Sequence, residues 1–387
     1  MGEKFVCPIC KNEDPRYIGY KNGKPYCRRC ITFNGEEASN TYKISKNVYI
    51  KKNYELTSEQ KRISNEILVN FQDKRNQLIY AVCGAGKTEL VFGVIKYAIS
   101  KNMRVGFAIP RKDVVIELVT RFKFTFPSAN VVSLYGGNTN VKEGDLVILT
   151  THQLYRFVDY FDLLIMDEID AFPYYNNDLL LEMFKRSVRG NYIMMSATPS
   201  ELIMEEFKNK EQNKLVSLFT RHHMEPIPVP VIKIIPTLIL KILFIIKKLK
   251  TYEKQNKPCL IFVPTIELSQ KLYIFLKNFV KRGFFVNSHS KTRSEIIDKF
   301  RSGEFIYLVT TAVLERGVTL RNLQVIIFNA DSKIYDRASL VQISGRVGRV
   351  VGATKGDCIF ICDTKTKGMV EAIHKIDEAN KHLQELL

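Results

Sequence analysis

The segment from Ala81 to Thr88 places a lysine and a threonine directly after a pair of glycines. An apolar run over 77–81 predicts a strand leading into this turn, and a helix is predicted to begin near Thr88. Backbone N–H groups of such a turn bind phosphate oxygens, while Lys87 can reach the β- and γ-phosphates and Thr88 can hold Mg²⁺. Ala81 stands where the strict phosphate-loop pattern has glycine. The candidate ATP-binding residues of this loop are Gly84, Ala85, Gly86, Lys87 and Thr88.

A pair of acidic residues follows a second apolar run. Asp162 to Met166 predicts a buried strand that delivers Asp167 and Glu168 at its carboxyl end, where ligand-binding groups lie in parallel α/β sheets. Asp167 is predicted to hold Mg²⁺, and Glu168 to orient and polarise the water that attacks the γ-phosphate. An isolated acidic pair often only caps a strand end, but downstream of a phosphate loop it indicates catalysis.

A third candidate element lies far along the chain, between Gln342 and Arg349. Arg346 and Arg349 are three residues apart, so on a helix they are predicted to project from one face. Arginines so placed can neutralise charge on a transferring phosphoryl group, and Gln342 is grouped with them as catalytic. Read alone, the stretch would equally fit a solvated basic helix.

Four of the eight cysteines form a cluster with metal-ligand spacing. Cys7 and Cys10 make one CxxC pair, and Cys27 and Cys30 make another after 16 intervening residues. Two such turns can complete a tetrahedral zinc site of four thiolates. Disulfides and a redox site are the alternatives; the missing apolar signal region argues against the first, and the duplicated spacing against the second. The remaining cysteines are predicted to be buried thiols: Cys83, Cys259, Cys358 and Cys362.

The net positive charge of the chain indicates which kinds of partner it can bind. Among 387 residues, basic side chains exceed acidic ones by 58 − 40 = 18, which suits a polyanion such as nucleic acid or an anionic membrane surface. No run of apolar residues is long enough for a transmembrane segment, so a cytoplasmic protein is expected. The segment 229–250 combines apolar residues with lysines, which predicts an amphipathic helix packed on the fold or, alternatively, a helix on a membrane surface.

Between about 55 and 365, apolar runs alternate with amphipathic segments, which predicts an α/β fold with parallel sheets. The motif order in this stretch resembles that of superfamily 2 helicases and translocases. The resemblance implies that Gln60 reads the adenine of ATP and that Gly317 also contacts the nucleotide. It further implies coupling of ATP and nucleic acid through Asp170, Ser196 and Thr198. The nucleic-acid contacts it implies are Pro110, Arg111, Gly136, Gly137, Thr150, Thr151, Thr265 and Thr311.

Within that superfamily, the cysteine cluster combined with the Asp167–Asp170 box and the segments 109–115 and 314–319 resembles the late competence ComFA family of DNA-uptake ATPases. The resemblance implies a zinc module over 1–50 and two RecA-like lobes over 51–225 and 226–387, with ATP in the cleft between the lobes. It implies ATP, Mg²⁺ and Zn²⁺ as cofactors.

The partners implied by the ComFA resemblance are single-stranded DNA and other competence proteins, with peripheral contact to a membrane DNA channel at the inner face of the membrane as an option. The sequence reads Asp-Glu-Ile-Asp and Thr319 where DEAD-box RNA helicases carry other residues, which disfavours RNA as the substrate. Two further functions remain open. One is a duplex-unwinding helicase of the primosomal type, and the other is a non-catalytic nucleic-acid-binding scaffold.

Overall fold

The computed structural model describes residues 5–39, 41–45, 47–51, 55–170, 177–287, 290, 292–311 and 320–386. The chain divides into two compact units. Unit 1 contains Met1–Ala81 and Gly86–Leu218, and unit 2 contains Val82–Ala85 and Phe219–Leu387. The domain limits suggested by the sequence, at residues 50 and 225, stay predictions.

The N-terminal segment of unit 1 contains a small β-hairpin, which lies within the four-cysteine segment of the chain. Strands β1 (Ile18–Lys21) and β2 (Lys24–Cys27) pair antiparallel. They are joined by Asn22 and Gly23, both with positive φ, at 51° and 75°. Two consecutive residues in this conformation make a tight hairpin turn whose twist matches that of the strands, and Asn-Gly is the pair that adopts it most readily.

The rest of unit 1 is a parallel sheet with helices between its strands. The sheet has seven strands in the order β5-β6-β4-β7-β8-β3-β9. Its strands are β3 (Asn76–Ala81), β4 (Val105–Ile109), β5 (Val131–Leu134), β6 (Leu146–Thr150), β7 (Phe161–Asp167), β8 (Val188–Ser196) and β9 (Asn213–Leu218). The central strands are almost wholly apolar and buried, as strands covered on both faces must be.

The helices of unit 1 connect these strands, and their ends follow from local capping. α1 begins after Thr57, whose hydroxyl accepts from the Gln60 backbone N–H at 3.2 Å while the Gln60 side chain accepts from the Thr57 N–H at 2.9 Å. The helices are α1 (Ser58–Gln72), α2 (Lys87–Leu90), α3 (Phe92–Ser100), α4 (Lys112–Thr125), α5 (Asp178–Ser187) and α6 (Glu201–Asn209). A 3₁₀ turn over Thr151–Arg156 follows β6.

Unit 2 repeats the architecture with six parallel strands in the order β10-β15-β14-β11-β13-β12. Its strands are β10 (Val231–Ile234), β11 (Cys259–Phe262), β12 (Gly283–Val286), β13 (Tyr307–Thr310), β14 (Gln324–Phe328) and β15 (Cys358–Cys362). Its helices are α7 (Leu238–Lys254), α8 (Ile266–Leu276), α9 (Arg293–Arg301), α10 (Arg337–Ser344) and α11 (Lys367–Leu386). The α/β class with parallel sheets, predicted from the alternation of segments, is confirmed.

Helix α7 packs on unit 2 along part of its length. Ile245, Ile246 and Leu249 are buried against the sheet, as the amphipathic pattern predicted. Its first turns differ, because Ile239 is 68 % exposed and its apolar neighbours are open to solvent as well. Lys241 turns inward and forms an ion pair with Asp363 at 2.7 Å. Among the described helices, none combines the length and apolarity needed to cross a membrane.

Candidate functional site

The carboxyl edge of the unit 1 sheet gathers most of the residues singled out by the sequence. The phosphate loop follows β3, the Ser196 segment ends β8, and Asp167 ends β7. Beyond β7 in the sheet, the predicted nucleic-acid residues follow β4, β6 and β5. One half of this edge therefore carries the nucleotide residues, and the adjacent half carries the predicted nucleic-acid residues. We call them the nucleotide half and the nucleic-acid half.

The phosphate loop has the backbone conformation that its glycines were expected to supply. Gly84 and Gly86 have φ of 87° and 80°, in the left-handed region where side chains cause strain. A Cβ at Gly86 would also lie 2.8 Å from Nε2 of Gln60, so the predicted adenine-reading glutamine lies directly against the loop. Lys87 begins α2, and its Nζ donates to the carbonyl of Ala81 at 3.1 Å.

The acidic pair lies where β7 ends. Asp167 is buried, and its carboxylate accepts from the backbone N–H of Glu168 at 2.8 Å. Glu168 has a φ of 59°, a left-handed conformation that is uncommon for glutamate and costs conformational energy. Carboxylate and hydroxyl oxygens are hard donors that suit Mg²⁺, so Asp167 and Thr88 are chemically fit to hold it.

A hydrogen-bond network joins the end of β7 to the end of β8. The carboxylate of Asp170 accepts from the Ser196 hydroxyl at 2.9 Å and from the Thr198 hydroxyl at 2.6 Å. The Ser196 hydroxyl in turn accepts from the Thr198 backbone N–H at 2.8 Å. The three residues assigned to coupling by resemblance are therefore brought into one contiguous network.

The predicted nucleic-acid residues are presented less uniformly. Gly136 and Gly137 form an exposed turn, and Gly137 has a φ of 92°. Arg111 forms an ion pair with Asp113 at 2.9 Å. Thr150 and Thr151 are both buried, and so is Pro110.

Lys112 was not singled out from the sequence, yet it reaches the glycine turn. Its Nζ donates to the Gly136 carbonyl at 3.1 Å and lies 4.9 Å from the ring centroid of Tyr135. A cation beside an exposed backbone turn is suited to a phosphate oxygen. Its position directly after Pro110-Arg111 was the available signal.

In unit 2, the paired arginines do not lie on a helix, so that prediction is wrong. α10 ends at Ser344, and Arg346 and Arg349 lie in the turn that follows. Gly345 is the C-cap residue of α10, and Gly348, with a φ of 69°, holds the left-handed conformation that prevents the helix from continuing through Arg349. Arg346 and Gln342 are buried, while Arg349 is partly buried and donates from Nε to the Gly345 carbonyl at 2.6 Å.

Arg221 organises the same turn and was missed from the sequence as a functional residue. It is 2 % exposed. Its guanidinium donates to the carbonyls of Gly345, Val347 and Gly348 at 3.0, 2.8 and 2.8 Å, and to the Cys83 carbonyl at 3.2 Å. Burial, followed by the charge of Arg349, lowers the pKa of Arg221 to about 10. One arginine thus binds three carbonyls of the turn that follows α10 and one carbonyl of the phosphate loop.

The other sequence-predicted residues of unit 2 have simpler surroundings. Thr265 is exposed and caps α8, where its hydroxyl accepts from the Leu268 N–H at 3.2 Å. Thr311 is buried directly after β13. Gly317 and the rest of 312–319 lie outside the described residues.

The four clustered cysteines satisfy a geometric test for zinc. Their sulfur atoms all lie within 4.8 Å of one another, with Cys7 and Cys30 3.8 Å apart and Cys10 and Cys27 3.7 Å apart. Four sulfurs bound tetrahedrally at zinc–sulfur distances near 2.3 Å would lie about 3.8 Å from one another. The cluster therefore fits zinc. The remaining cysteines are buried thiols, as predicted.

The segment after the cluster fastens it to the 3₁₀ turn that follows β6. The Phe33 ring stacks on His152 at 6.4 Å and contacts Tyr155 at 5.3 Å between centroids. Arg156 donates to the Glu36 carbonyl at 2.9 Å. The segment after the cluster is thus attached to the turn next to the nucleic-acid half, while Pro8 and Lys11 of the cluster lie beside Val158, Asp159 and α5.

Comparison with known proteins agrees with these observations. Residues 53–201 match the family model described as type III restriction enzyme, res subunit, and residues 240–351 match the helicase conserved C-terminal domain. The competence protein ComFA of Bacillus subtilis is 33 % identical over 98 % of this chain and 86 % of its own length. ComFA of Streptococcus pneumoniae is 34 % identical over 98 % of this chain and 91 % of its own. The ATP-dependent DNA helicase RecG of Helicobacter pylori is 27 % identical over 80 % of this chain and 51 % of its own.

Solved helicase structures share the fold. Dbp5 of Saccharomyces cerevisiae, bound to RNA and ADP BeF3, superposes with a TM-score of 0.61 at 16 % identity, covering 86 % of this chain and 98 % of that one. The DEAD-box helicase Mss116 gives 0.63 at 19 % identity, covering 79 % of this chain and 70 % of that one. These structures show the RecA-like fold, and the helicase family models together with the ComFA relatives show an ATPase of the superfamily 2 helicase and translocase type. With a third of its residues shared along nearly its whole length, this chain belongs to the ComFA family of competence proteins.

Proposed function

We propose that this protein is an ATP-driven motor that moves along single-stranded DNA during DNA uptake. The observation that supports the proposal most is the arrangement of the unit 1 sheet edge, where nucleotide and nucleic-acid residues follow neighbouring strands. Asp170, Ser196 and Thr198 form a hydrogen-bonded network at the nucleotide side of this boundary. Because β7 is the strand next to β4, we propose that a change at the γ-phosphate passes from this network through β7 to the nucleic-acid half.

In this proposal, the phosphate loop binds the triphosphate through its backbone N–H groups, and Lys87 leaves the Ala81 carbonyl to contact the β- and γ-phosphates. Thr88 and Asp167 would hold Mg²⁺, which neutralises phosphate charge. Glu168 orients and polarises the attacking water. Arg346 and Arg349 of unit 2 counter the charge that develops in the transition state.

The nucleic-acid half exposes a backbone turn and a lysine, and such individually weak contacts suit a strand that must slide. The exposed Gly136–Gly137 turn and Lys112 are placed to meet phosphate oxygens. The excess of 18 positive charges favours any nucleic acid, so binding should weaken as salt is added. Because the ComFA relatives are named competence proteins, we propose incoming DNA as the cargo. Other competence proteins and a membrane DNA channel at the inner face of the membrane are the proposed partners.

A translocation assay tests the motor directly. A strand carrying biotin at one end is bound to streptavidin, and release of streptavidin is followed after ATP is added. Release that needs hydrolysable ATP and disappears in Glu168→Gln supports the proposal. DNA-stimulated hydrolysis without release from either end would contradict it.

Duplex unwinding is the second candidate, and the similarity to RecG, a named DNA helicase, favours it. A strand-displacement assay with a tailed duplex distinguishes the two functions. A simple translocase removes streptavidin but leaves a long duplex intact, whereas a helicase separates the strands.

A further inference from the structure

The hairpin beside the cysteine cluster combines positive charge with aromatic surface. From Pro15 to Asn34 the chain contains five basic residues and no aspartate or glutamate. Tyr20 is 72 % exposed, and the guanidinium of Arg29 lies 5.6 Å from the ring centroid of Tyr17. Basic side chains interleaved with aromatic rings are the surface that binds single-stranded nucleic acid without reading its sequence.

The β1–β2 register places part of this chemistry on one face. Lys21 is paired with Lys24, and Gly19 with Tyr26. Alternate residues of a strand point to the same side, so both lysines and Tyr26 share a face. Gly19 has no side chain, and a Cβ there would lie 2.5 Å from Cζ of Tyr26, which shows that the tyrosine ring covers it.

This face borders an open cavity of about 870 Å³. Tyr26, Lys21 and Lys24 line its outer part, and Ile9 and Ile31 contribute apolar surface. Its inner part reaches Cys7, Cys27 and Cys30, so a bound zinc ion would occupy that end and leave the outer part open. Lys21 and Lys24 are exposed, and Tyr26 is partly buried. An apolar slot with a tyrosine wall and a pair of lysines offers stacking surface for a base and charge for its flanking phosphates.

The position of the hairpin in unit 1 supports a nucleic-acid occupant. Phe33, three residues after the last cysteine of the cluster, stacks on His152 of the 3₁₀ turn that follows β6. The segment that follows the cluster therefore contacts the turn that begins at Thr151, next to the nucleic-acid half of the sheet edge. A strand leaving that edge would meet a basic and aromatic surface belonging to the same unit.

We propose that the outer part of this cavity, lined by Tyr26 and the lysine pair Lys21 and Lys24, is a binding site for one unpaired nucleotide of a DNA single strand. The site rests on the proposed function, because it extends the path of the strand beyond the sheet edge. Its contacts are base stacking and phosphate charge, so it accepts any base.

The first test measures binding of fluorescent oligothymidine to the full-length protein at several salt concentrations. Each phosphate contact on a single strand contributes about 0.7 to the salt slope, so Lys21→Gln/Lys24→Gln should lower the slope by about 1.4. Tyr26→Leu keeps the apolar volume and should weaken binding roughly tenfold through lost stacking. Lys96→Gln/Lys101→Gln, at exposed sites on α3 and its end, is the matched control and should leave the slope unchanged.

A second test uses the absence of tryptophan from the chain. In Tyr26→Trp, stacking of a base should quench the single tryptophan on adding DNA. Tyr97→Trp is the control, because Tyr97 on α3 likewise has a lysine near its ring, 5.9 Å from Lys101. The inference would be overturned if Tyr26→Trp showed no quenching and Lys21→Gln/Lys24→Gln had an unchanged salt slope. That result would indicate that the hairpin binds a protein partner instead.

Failure of the proposed motor and failure of the proposed nucleotide site give different experimental results. If single-stranded DNA does not stimulate ATP hydrolysis by the unsubstituted protein, the proposed motor fails. If stimulation is strong but the hairpin variants bind oligothymidine as the unsubstituted protein does, the motor stands and the nucleotide site fails.

Discussion

The two halves of the unit 1 sheet edge are built on different principles. In the nucleotide half, geometry is tightly specified: Gly84, Gly86 and Glu168 all hold left-handed conformations. Asp170 holds two hydroxyls in a closed network. In the nucleic-acid half, the exposed elements are a glycine turn and a lysine, while Thr150 and Thr151 are buried.

The difference follows from what each half must do. Hydrolysis needs donors and acceptors fixed relative to a transition state, so small displacements are costly. A moving strand needs contacts that are individually weak and easily exchanged, and much of its affinity comes from charge. Substitutions in the nucleotide half should therefore change rates strongly, and those in the nucleic-acid half should change affinity modestly and in a salt-dependent way.

The largest expected effect is on Glu168. Glu168→Gln removes the carboxylate that we propose polarises the attacking water, so turnover should fall by roughly 10²–10⁴-fold while ATP still binds. Steady-state hydrolysis and binding of a fluorescent nucleotide measure the two quantities. Glu205→Gln, at an exposed position on α6, serves as the control. Turnover equal to that of the unsubstituted protein would show that the nucleotide half does not carry out hydrolysis as proposed.

The second largest effect is expected at Arg221, because its hydrogen bonds fix the turn that contains Arg346 and Arg349. Arg221→Lys keeps the charge but cannot donate to four carbonyls at once, so kcat should fall about tenfold while the KM for ATP changes little. Arg282→Lys is the matched control, because Arg282 also donates to backbone carbonyls, those of Gly303 and Glu304. A lower unfolding temperature with an unchanged kcat would assign Arg221 a structural role alone.

The variant Asp170→Ala tests whether the hydrogen bonds of Asp170 couple the nucleotide half to the nucleic-acid half. Asp170→Ala leaves the buried hydroxyls of Ser196 and Thr198 without their acceptor, which should lower the free energy of unfolding by about 1–3 kcal/mol. Basal hydrolysis should persist, but its stimulation by DNA should fall several-fold. Asp73→Ala, at the end of α1, controls for loss of a carboxylate. Full stimulation in Asp170→Ala would show that coupling takes another route.

The smallest effect is expected at Lys112. Lys112→Gln should weaken binding of single-stranded DNA a few-fold and reduce the salt slope by about 0.7, the contribution of one phosphate. The maximal DNA-stimulated rate should not change. Titrations at several salt concentrations check this. A fall in kcat without a change in slope would place Lys112 in the nucleotide half.

The contrast also explains how far the sequence could predict the molecule. The phosphate-loop glycines lie within one turn and the Asp-Glu pair is adjacent, and such local patterns are visible in a sequence. Arg221 escaped prediction because the carbonyls it holds lie more than 120 residues away along the chain. The arginine turn was predicted as helix because spacing alone does not show that α10 ends at Ser344 or that Gly348 takes a left-handed conformation. The exposure of the apolar residues at the start of α7 could not be predicted either. Hydrophobic periodicity identifies a helix face that can be buried, but it does not show which part of that face stays exposed to solvent.

The central claim is that ATP hydrolysis here serves a DNA single strand. The most direct measurement is the hydrolysis rate of the full-length protein with single-stranded DNA, duplex DNA and RNA of matched length, compared side by side. We expect single-stranded DNA to stimulate most strongly, with Glu168→Gln inactive in every case. A strong preference for RNA, or equal rates with and without any nucleic acid, would contradict the account.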